Sequence, residues 1–475
     1  MTVAKLRAEE ESAAKEADGK AHVPGLQPHI SVADRMKIGQ DRRRSVPLDT
    51  LSAWKPPKDR RDPIDILIAQ DKNRMQDLVP IRYGRMLENP FAFYRGAAAV
   101  MASDLAYGPT SAINVQLCGD AHLDNFGGYG TPECQLVFDV NDFDETLPGP
   151  FEWDVKRLAA SVAVAGRNNG FSATDASDAA RASVTSYRQR IALCAQVRHL
   201  ALYCTQLDVD QLIDVVTGRS RKRAKKAAKK ARSRDNLQAL NKMCTYVDGE
   251  IRIVDDPPLL THVDDWTILG AERGARLFRT YFNTIQPDRR SLLERYTLVD
   301  GARKVVGVGS VGTRCFILLF KGASDDDPLF LQIKEANASV LEPYLGASAY
   351  KHRGERVVAG QRIIQAVSDV FLGWGTTSKG HFYLRQLRDM KGGVDVPTMK
   401  PPGLIAYAEV CAWALALAHA RSGDAAVISG YLGNGDDFDR AISKFANAYA
   451  DQNEVDYESL VTARKTRRIF ADVGF

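Results

Sequence analysis

Near residue 300 the chain turns from helical to β-like patterning, and near 400 it turns back; no other feature constrains its class as firmly. Val305-Val306, a glycine-rich stretch, Cys315 to Phe320 and Leu329 to Ile333 read as successive strands joined by tight turns, and His381 to Leu387 as one more. Helices are expected between them, near 337–345 and 354–368. Before this block, residues 61–106 and 171–290 carry helical periodicity; after it, Pro401-Pro402 opens a long helix, Leu404 to Ala420, and a helical tail. A strand at Ile113 to Leu117, a turn-rich loop at 118–130, a strand at Leu136 to Phe138 and an apolar helix from Trp153 to Ala165 interrupt the first helical region. The expectation is an α+β chain: an N-terminal arm over 1–60, a helical lobe over 61–290, a β-rich lobe over 291–400, and the rest of the helical lobe over 401–475.

Bulk properties remove several classes. A chain of 475 residues with 45% apolar and 26% charged residues can bury a large core. Seven scattered cysteines without a C-x-x-C pair argue against a disulfide framework and a zinc site, and fit a reducing compartment. There is no basic stretch followed by an apolar one at the start, and no run of 18 apolar residues. A cytoplasmic protein without a membrane span is expected.

Two stretches carry chemistry. Gly119-Asp120-Ala121-His122-Leu123-Asp124-Asn125 follows a strand and is too polar for core; Asp142-Phe143-Asp144-Glu145 follows the next strand, and Asp154 heads the apolar helix. Phosphoryl transfer needs one carboxylate to orient or deprotonate the acceptor hydroxyl, and oxygen ligands to hold magnesium. Asp120 and Asn125, five residues apart in one loop, can supply the base and one ligand. Asp142 supplies another, with Asp144 as a second carboxylate. Any acid pair also admits a glycoside-hydrolase reading, with Asp120 and Asp142 as acid and base, but Asn125 has no part in it.

The second stretch is Gly307-Val308-Gly309-Ser310-Val311-Gly312. A dinucleotide fingerprint needs a helix directly after the third glycine, whereas Thr313 to Phe320 reads as strand. A glycine turn between two strands is the device by which kinases lay backbone amides over phosphates. Lys334 on the following strand stands where such a device needs its phosphate-pairing lysine. Glu342 is the first candidate to hold that lysine and Glu355 the second.

Gly119-Asp120-x-His122-x-x-Asn125 resembles the catalytic loop H-G-D-x-H-x-x-N of aminoglycoside phosphotransferases and choline kinases, with Cys118 where those enzymes carry His. Asp142-Phe143 is similar to their metal-binding segment, and Trp153-Asp154-Val155 to the helix start that follows it. Leu415 to Ala420 resembles the end of the helix that precedes their catalytic loop. The resemblance implies a two-lobed, protein-kinase-like fold binding ATP and Mg2+. Gly307, Gly309, Ser310, Gly312, Lys334 and Glu342 would serve the nucleotide, Asn125, Asp142 and Asp144 the metal, and Asp120, His122 and Asp154 catalysis. The catalytic loop lies about 190 residues before the glycine loop instead of after it, which a circular permutation explains, the new ends falling between helix 404–420 and strand 113–117. His419-Ala420-Arg421-Ser422-Gly423-Asp424 has the conventional order, but position 429 is Ser rather than Asn, and Asp424 reads as a supporting or helix-capping residue. From about 60 to 465 the chain also resembles a bacterial family known as a domain of unknown function, number 2252, through phrases such as Pro90-Phe91-x-Phe93-x-Arg95-Gly96 and Asn141-Asp142-Phe143-Asp144-Glu145-Thr146.

Residues 219–234 hold ten Lys or Arg and no acid. They read as a solvated helix or as contacts to an anionic partner through phosphate charge, without aromatics for base stacking. Arg95 reads as a salt-bridge residue or as a holder of an anionic group. The expected activity is ATP- and magnesium-dependent phosphoryl transfer to a hydroxyl of a small molecule or protein. The alternatives are AMP transfer or nucleotide binding without catalysis on the same fold, and a nucleic-acid-binding protein working through 219–234.

Overall fold

The computed structural model describes residues 30–215, 218–234, 236–262, 271–387, 390 and 392–474. Residues 1–29 of the expected arm, and the side chains of Arg219, Ser220 and Arg223 in the basic run, lie outside the described residues. The rest of the arm contains a helix, α1 (Val32–Ser45), started by the Ser31 hydroxyl accepting from the Asp34 amide. Four short helices follow: α2 (Pro63–Asp71), α3 (Val79–Met86), α4 (Pro90–Gly96) and α5 (Ala98–Leu105). Asp62 and Asn89 cap α2 and α4, and proline fills the first position of each, where its missing N–H costs nothing.

Two small hairpins come next. β1 (Asn114–Leu117) pairs antiparallel with β4 (Leu147–Pro150), and β2 (Phe126–Gly130) with β3 (Leu136–Val140). The loop at 118–125 therefore lies between β1 and β2, and the loop at 141–146 between β3 and β4. Gly119 has φ of 85°, and a Cβ there would sit 2.3 Å from the Glu145 carbonyl oxygen, so glycine lets the two loops touch. Behind them stand α6 (Glu152–Asn168), α7 (Ala173–Cys194) and three later helices, α11 (Pro401–Ser422), α12 (Ala425–Leu432) and α13 (Asp437–Lys465). Their apolar faces share one large core with the hairpins, including Leu117, Phe143, Phe151, Val162, Tyr187, Leu415 and Phe445. α11 is long and apolar enough to cross a membrane, yet two-thirds of its apolar stretch is buried in this core.

The β-rich part is one six-stranded antiparallel sheet in the order β11-β12-β10-β9-β8-β7. Its members are β7 (Leu260–His262), β8 (Thr297–Lys304), β9 (Cys315–Lys321), β10 (Pro328–Ala336), β11 (Gly373–Thr377) and β12 (Gly380–Gln386). Two-residue alternation decides which face each side chain serves. Phe316, Leu318 and Phe320 pack with Leu277, Tyr281 and Leu293 on one face, while Ile317 and Leu319 pack with Met243, Ile251 and Ile253 on the other. Helix α9 (Ala271–Phe282) and the hairpin β5 (Cys244–Val247) with β6 (Glu250–Ile253) thus cover the sheet.

This corrects the expected boundary at 291: residues from Asn236 onward already belong to the sheet's surroundings. The region was read as helical because its strands are three or four residues long, too short for a clear period. Val305-Val306 falls just past β8 instead of inside a strand, and the expected helix 337–345 shortens to Glu342–Leu345. Helix α10 (Arg353–Ile364) lies between β10 and β11 in sequence and packs against both parts of the molecule.

α1 is held by close backbone approach to α12. A Cβ on Gly39 would stand 2.0 Å from the Val427 carbonyl oxygen, and one on Gly430 2.0 Å from that of Met36. Backbone cannot swing aside as a side chain can. Gly39→Leu is expected to lower stability by roughly 1–3 kcal/mol through overpacking, read as a lower urea midpoint with an unchanged slope.

Candidate functional site

The loops at 118–125 and 141–146 meet the sheet at a cleft of about 260 Å³, lined by Arg74, Arg95, Asp120, His122, Asn125, Asp142, Asp144 and the Gly307–Ser310 turn, among others. Residues more than 160 positions apart are brought together here: Ser310 Oγ lies 3.4 Å from Asp144 Oδ2.

The loop carrying Asp120 is fixed from beneath. Asp154, in the first turn of α6, accepts from the amides of Cys118 at 2.8 Å and Gly119 at 3.1 Å. His419 of α11 approaches the same carboxylate at 3.4 Å through Nε2 and meets the Tyr187 hydroxyl at 2.8 Å through Nδ1. Asn125 Nδ2 donates to the Asp120 carbonyl at 2.7 Å, which aims its amide oxygen away from that bond. The Asp120 carboxylate is gripped by Arg157, at 2.9 Å from Nε and 2.8 Å from Nη2. Burial still raises its pKa to about 6, against the pull of Arg157 and with help from the charges of Asp142 and Asp154. His122 Nε2 stands 3.7 Å from Asp120 Oδ2, beyond hydrogen-bond reach. Burial, with Arg95 and Arg157 adding to it, keeps that imidazole neutral at pH 7.

The loop carrying Asp142 and Asp144 is held by the sheet and α10. Arg356 donates to the carbonyls of Thr146 at 2.7 Å, Asp144 at 2.7 Å and Asn337 at 2.9 Å. Gln365 donates to the Val140 carbonyl at 2.6 Å, and the Asn141 amide to the Asn125 carbonyl at 2.8 Å. Lys334 and Tyr383 are direct cross-strand partners on β10 and β12, and both reach Asp144: the ammonium bonds Oδ2, and the phenol donates to Oδ1 at 2.8 Å. Lys334 Nζ also lies 3.7 Å from Asp142 Oδ2. Burial disfavours the ammonium, but Asp142 and Asp144 outweigh it and hold its pKa well above the usual lysine value.

Glu342 does not pair with Lys334, which corrects the expectation. Its Oε1 accepts from the Ser339 amide at 3.0 Å and stands 4.0 Å from Arg356 Nε. It sits in a four-residue helix reached by a turn that carries it away from β10. Glu355, the second candidate, lies in the first turn of α10, its amide bonded to His352 Nδ1 at 3.2 Å. The lysine's acids come instead from the 141–146 loop.

The glycine turn joins β8 to β9, which pair antiparallel. Gly307 and Gly312 have positive φ, 66° and 88°. The turn is anchored by buried Val308 and Val311, and by the first helices: Arg85 Nη1 donates to the Gly307 carbonyl at 2.5 Å, Arg74 Nη1 to that of Val311 at 2.5 Å, and the Met75 amide to that of Gly312 at 2.7 Å.

Asp424 caps α12, accepting from the amides of Ala426 and Val427, and pairs with Arg35 at 3.3 Å. Arg95 pairs with Asp124 at 3.1 Å. The basic run forms α8 (Gly218–Arg232), whose buried Ala228 and Ala231 pack beside Leu136 and Ile213, while Lys222, Lys225, Lys226, Lys229 and Lys230 are exposed.

Among the described residues no three His, Cys, Asp or Glu side chains cluster as metal ligands. Among the residues lining the cleft, the carboxylates of Asp142 and Asp144 and the amide oxygen of Asn125 are hard oxygens that suit magnesium completed by water or phosphate oxygens. Sequence reasoning missed Arg157, Arg356 and Tyr383. Arg157 had a signal, since it lies three residues after Asp154 and so on the same helix face.

Fold and cleft together define a mixed α+β protein with a helical part, an antiparallel sheet and a polar cleft between them. The chain belongs to the family described as uncharacterized protein conserved in bacteria (DUF2252), which matches residues 74–463 and so spans every residue of the cleft named above. Searches of curated proteins and of solved structures give no match.

Asp154 accepts from two amides in a buried place. Asp154→Ala is expected to cost roughly 2–4 kcal/mol, measured by urea unfolding, with Asp154→Asn retaining part of the loss.

Proposed function

We propose that this chain is an ATP- and Mg2+-dependent phosphotransferase with a circularly permuted, kinase-like arrangement. The observation that carries the reading is the meeting of Asp120, Asn125, Asp142 and Asp144 with the glycine turn at one cleft, from segments far apart in sequence, with buried Lys334 bonded to Asp144 behind it. A glycine hairpin followed by a lysine on the next strand is the kinase device for phosphates. The permutation is supported by the end of α11 lying against β1: Ser422 Oγ accepts from the Gln116 amide at 3.1 Å. The old chain order would have run through this junction.

Asp120 accepts the hydrogen bond of an acceptor hydroxyl and takes its proton as the oxygen bonds the γ-phosphorus. The bond between that phosphorus and the oxygen bridging it to the β-phosphate breaks, and ADP leaves. Arg157 fixes the direction of the Asp120 carboxylate, and Asp154 fixes its loop. Neutral His122 lines the cleft beside it without adding charge. Turn amides cover the phosphates, and Lys334 moves from Asp144 to a phosphate oxygen. Asn125, Asp142 and Asp144 would hold magnesium. When bound, the metal supplies charge neutralisation at the phosphate oxygens.

The test follows label from ATP into product over a panel of hydroxyl acceptors. Transfer of γ-label supports phosphoryl transfer, transfer of α-label means AMP transfer, and none with any acceptor overturns catalysis. Asp120→Asn is expected to lower the rate by roughly 10²–10⁴-fold. The base works deprotonated, so kcat/KM should fall as pH drops through about 6; a flat profile between pH 5 and 8 contradicts Asp120 as the base.

A further inference from the structure

The wall of the cleft built by the first helices is cationic; Arg95 has no part in the nucleotide or metal assignment, and Arg74 enters it only through the bond of its Nη1 to the glycine turn. Arg74 and Arg95 both line the cavity. Arg74 spends Nη1 on the Val311 carbonyl, while its Nε is buried and makes no hydrogen bond among the described residues. Its nearest acid, Asp71, is 3.7 Å away and already engaged: Arg82 Nη1 donates to it at 2.6 Å, and the Tyr83 hydroxyl bonds its other oxygen. Two guanidinium groups therefore share one carboxylate. Burial, with the charge of Arg82 adding to it, pushes the Arg74 pKa down to about 9, the mark of a cation short of counter-charge. Arg95 has Asp124 at 3.1 Å, but that contact lacks hydrogen-bond geometry, and its Nε is likewise buried and unbonded among the described residues.

Guanidinium groups with spare donors recognise phosphate and carboxylate through paired hydrogen bonds. The opposite charge is poorly served here: a polycationic or quaternary-ammonium acceptor would bring like charge against Arg74 and Arg95. Asp120, Asp142, Asp144 and Glu145 in the same cavity oppose an anion only until a metal and Lys334 compensate them.

We propose that the acceptor is an alcohol carrying an anionic group, phosphate or carboxylate, held by Arg74 and Arg95 beside Asp120. This rests on the phosphotransferase reading of the cleft.

The experiment is calorimetric titration of the full chain, saturated with Mg2+ and a non-hydrolysable ATP analogue, with inorganic phosphate and, separately, with acetate. The loaded nucleotide occupies the γ-phosphate position, so a further anion reports the acceptor side alone. Wild type is expected to bind at least one of the two, and the tighter one names the group. Arg95→Gln should weaken that binding about tenfold or more while moving nucleotide affinity less than about threefold; Arg74→Gln should weaken it too and, by releasing the Val311 carbonyl of the glycine turn, the nucleotide as well. If Arg74→Gln does not fold, Arg95→Gln carries the comparison. The proposal is overturned if loaded wild type binds neither anion, or if the variants weaken the nucleotide and leave the anion untouched. If wild type binds no nucleotide, it is the phosphotransferase reading that falls. The unloaded protein titrated with the same anions then decides: binding lost in the variants upholds the arginine site, and no binding removes it.

Discussion

Lys334 carries its charge inside the protein, and the acids that make this tolerable lie 190 positions earlier in the chain. An ammonium taken out of water costs several kcal/mol unless well-placed acids offset it. β10 supplies the cation, and the 141–146 loop supplies Asp144 and Asp142. The pair therefore ties sheet to helical part at the one place where both glycine turn and Asp120 loop converge. Ser310 and Tyr383 converge on the same carboxylate. A cation and two acids that satisfy each other can also exchange partners, and under the proposed function a triphosphate with its magnesium would offer that exchange to both sides at once.

Everything around the pair keeps it in place. Arg356 sits on the helix that carries Glu355, the second candidate to pair the lysine, and it binds carbonyls of the acid loop. The control that a helix carboxylate exerts on a lysine is here exerted on the lysine's acids. The short helices before residue 105 pin the glycine turn from outside, through Arg85, Arg74 and Met75. They form a wall of the cleft as well.

Much of this was legible in the sequence because it is local. The Asp120 loop, the Asp142 loop and the glycine turn each announce themselves by polar residues or glycines next to strands. Lys334 follows from its place after Leu331-Gln332-Ile333, on a strand downstream of the glycine turn. What was not legible depends on contacts across the chain. Glu342 was a reasonable partner by spacing, but the turn before it points the short helix elsewhere. Arg356 and Tyr383 look like an ordinary helix cation and an ordinary strand aromatic until the sheet is laid against the loop. The start of the β-rich part was misjudged because β5, β6 and β7 are too short to show a period and owe their existence to packing on the sheet.

The central claim, that the cleft is a magnesium-dependent ATP site, is tested most directly by calorimetric titration of ATP with and without magnesium, on wild type and on Asp142→Ala. The account predicts binding in wild type that needs magnesium, since releasing Lys334 to phosphate leaves Asp142 and Asp144 in want of a cation, and loss of that dependence in the variant. Absence of ATP binding in folded wild type, with magnesium present, would contradict it and reduce the glycine turn to an ordinary hairpin.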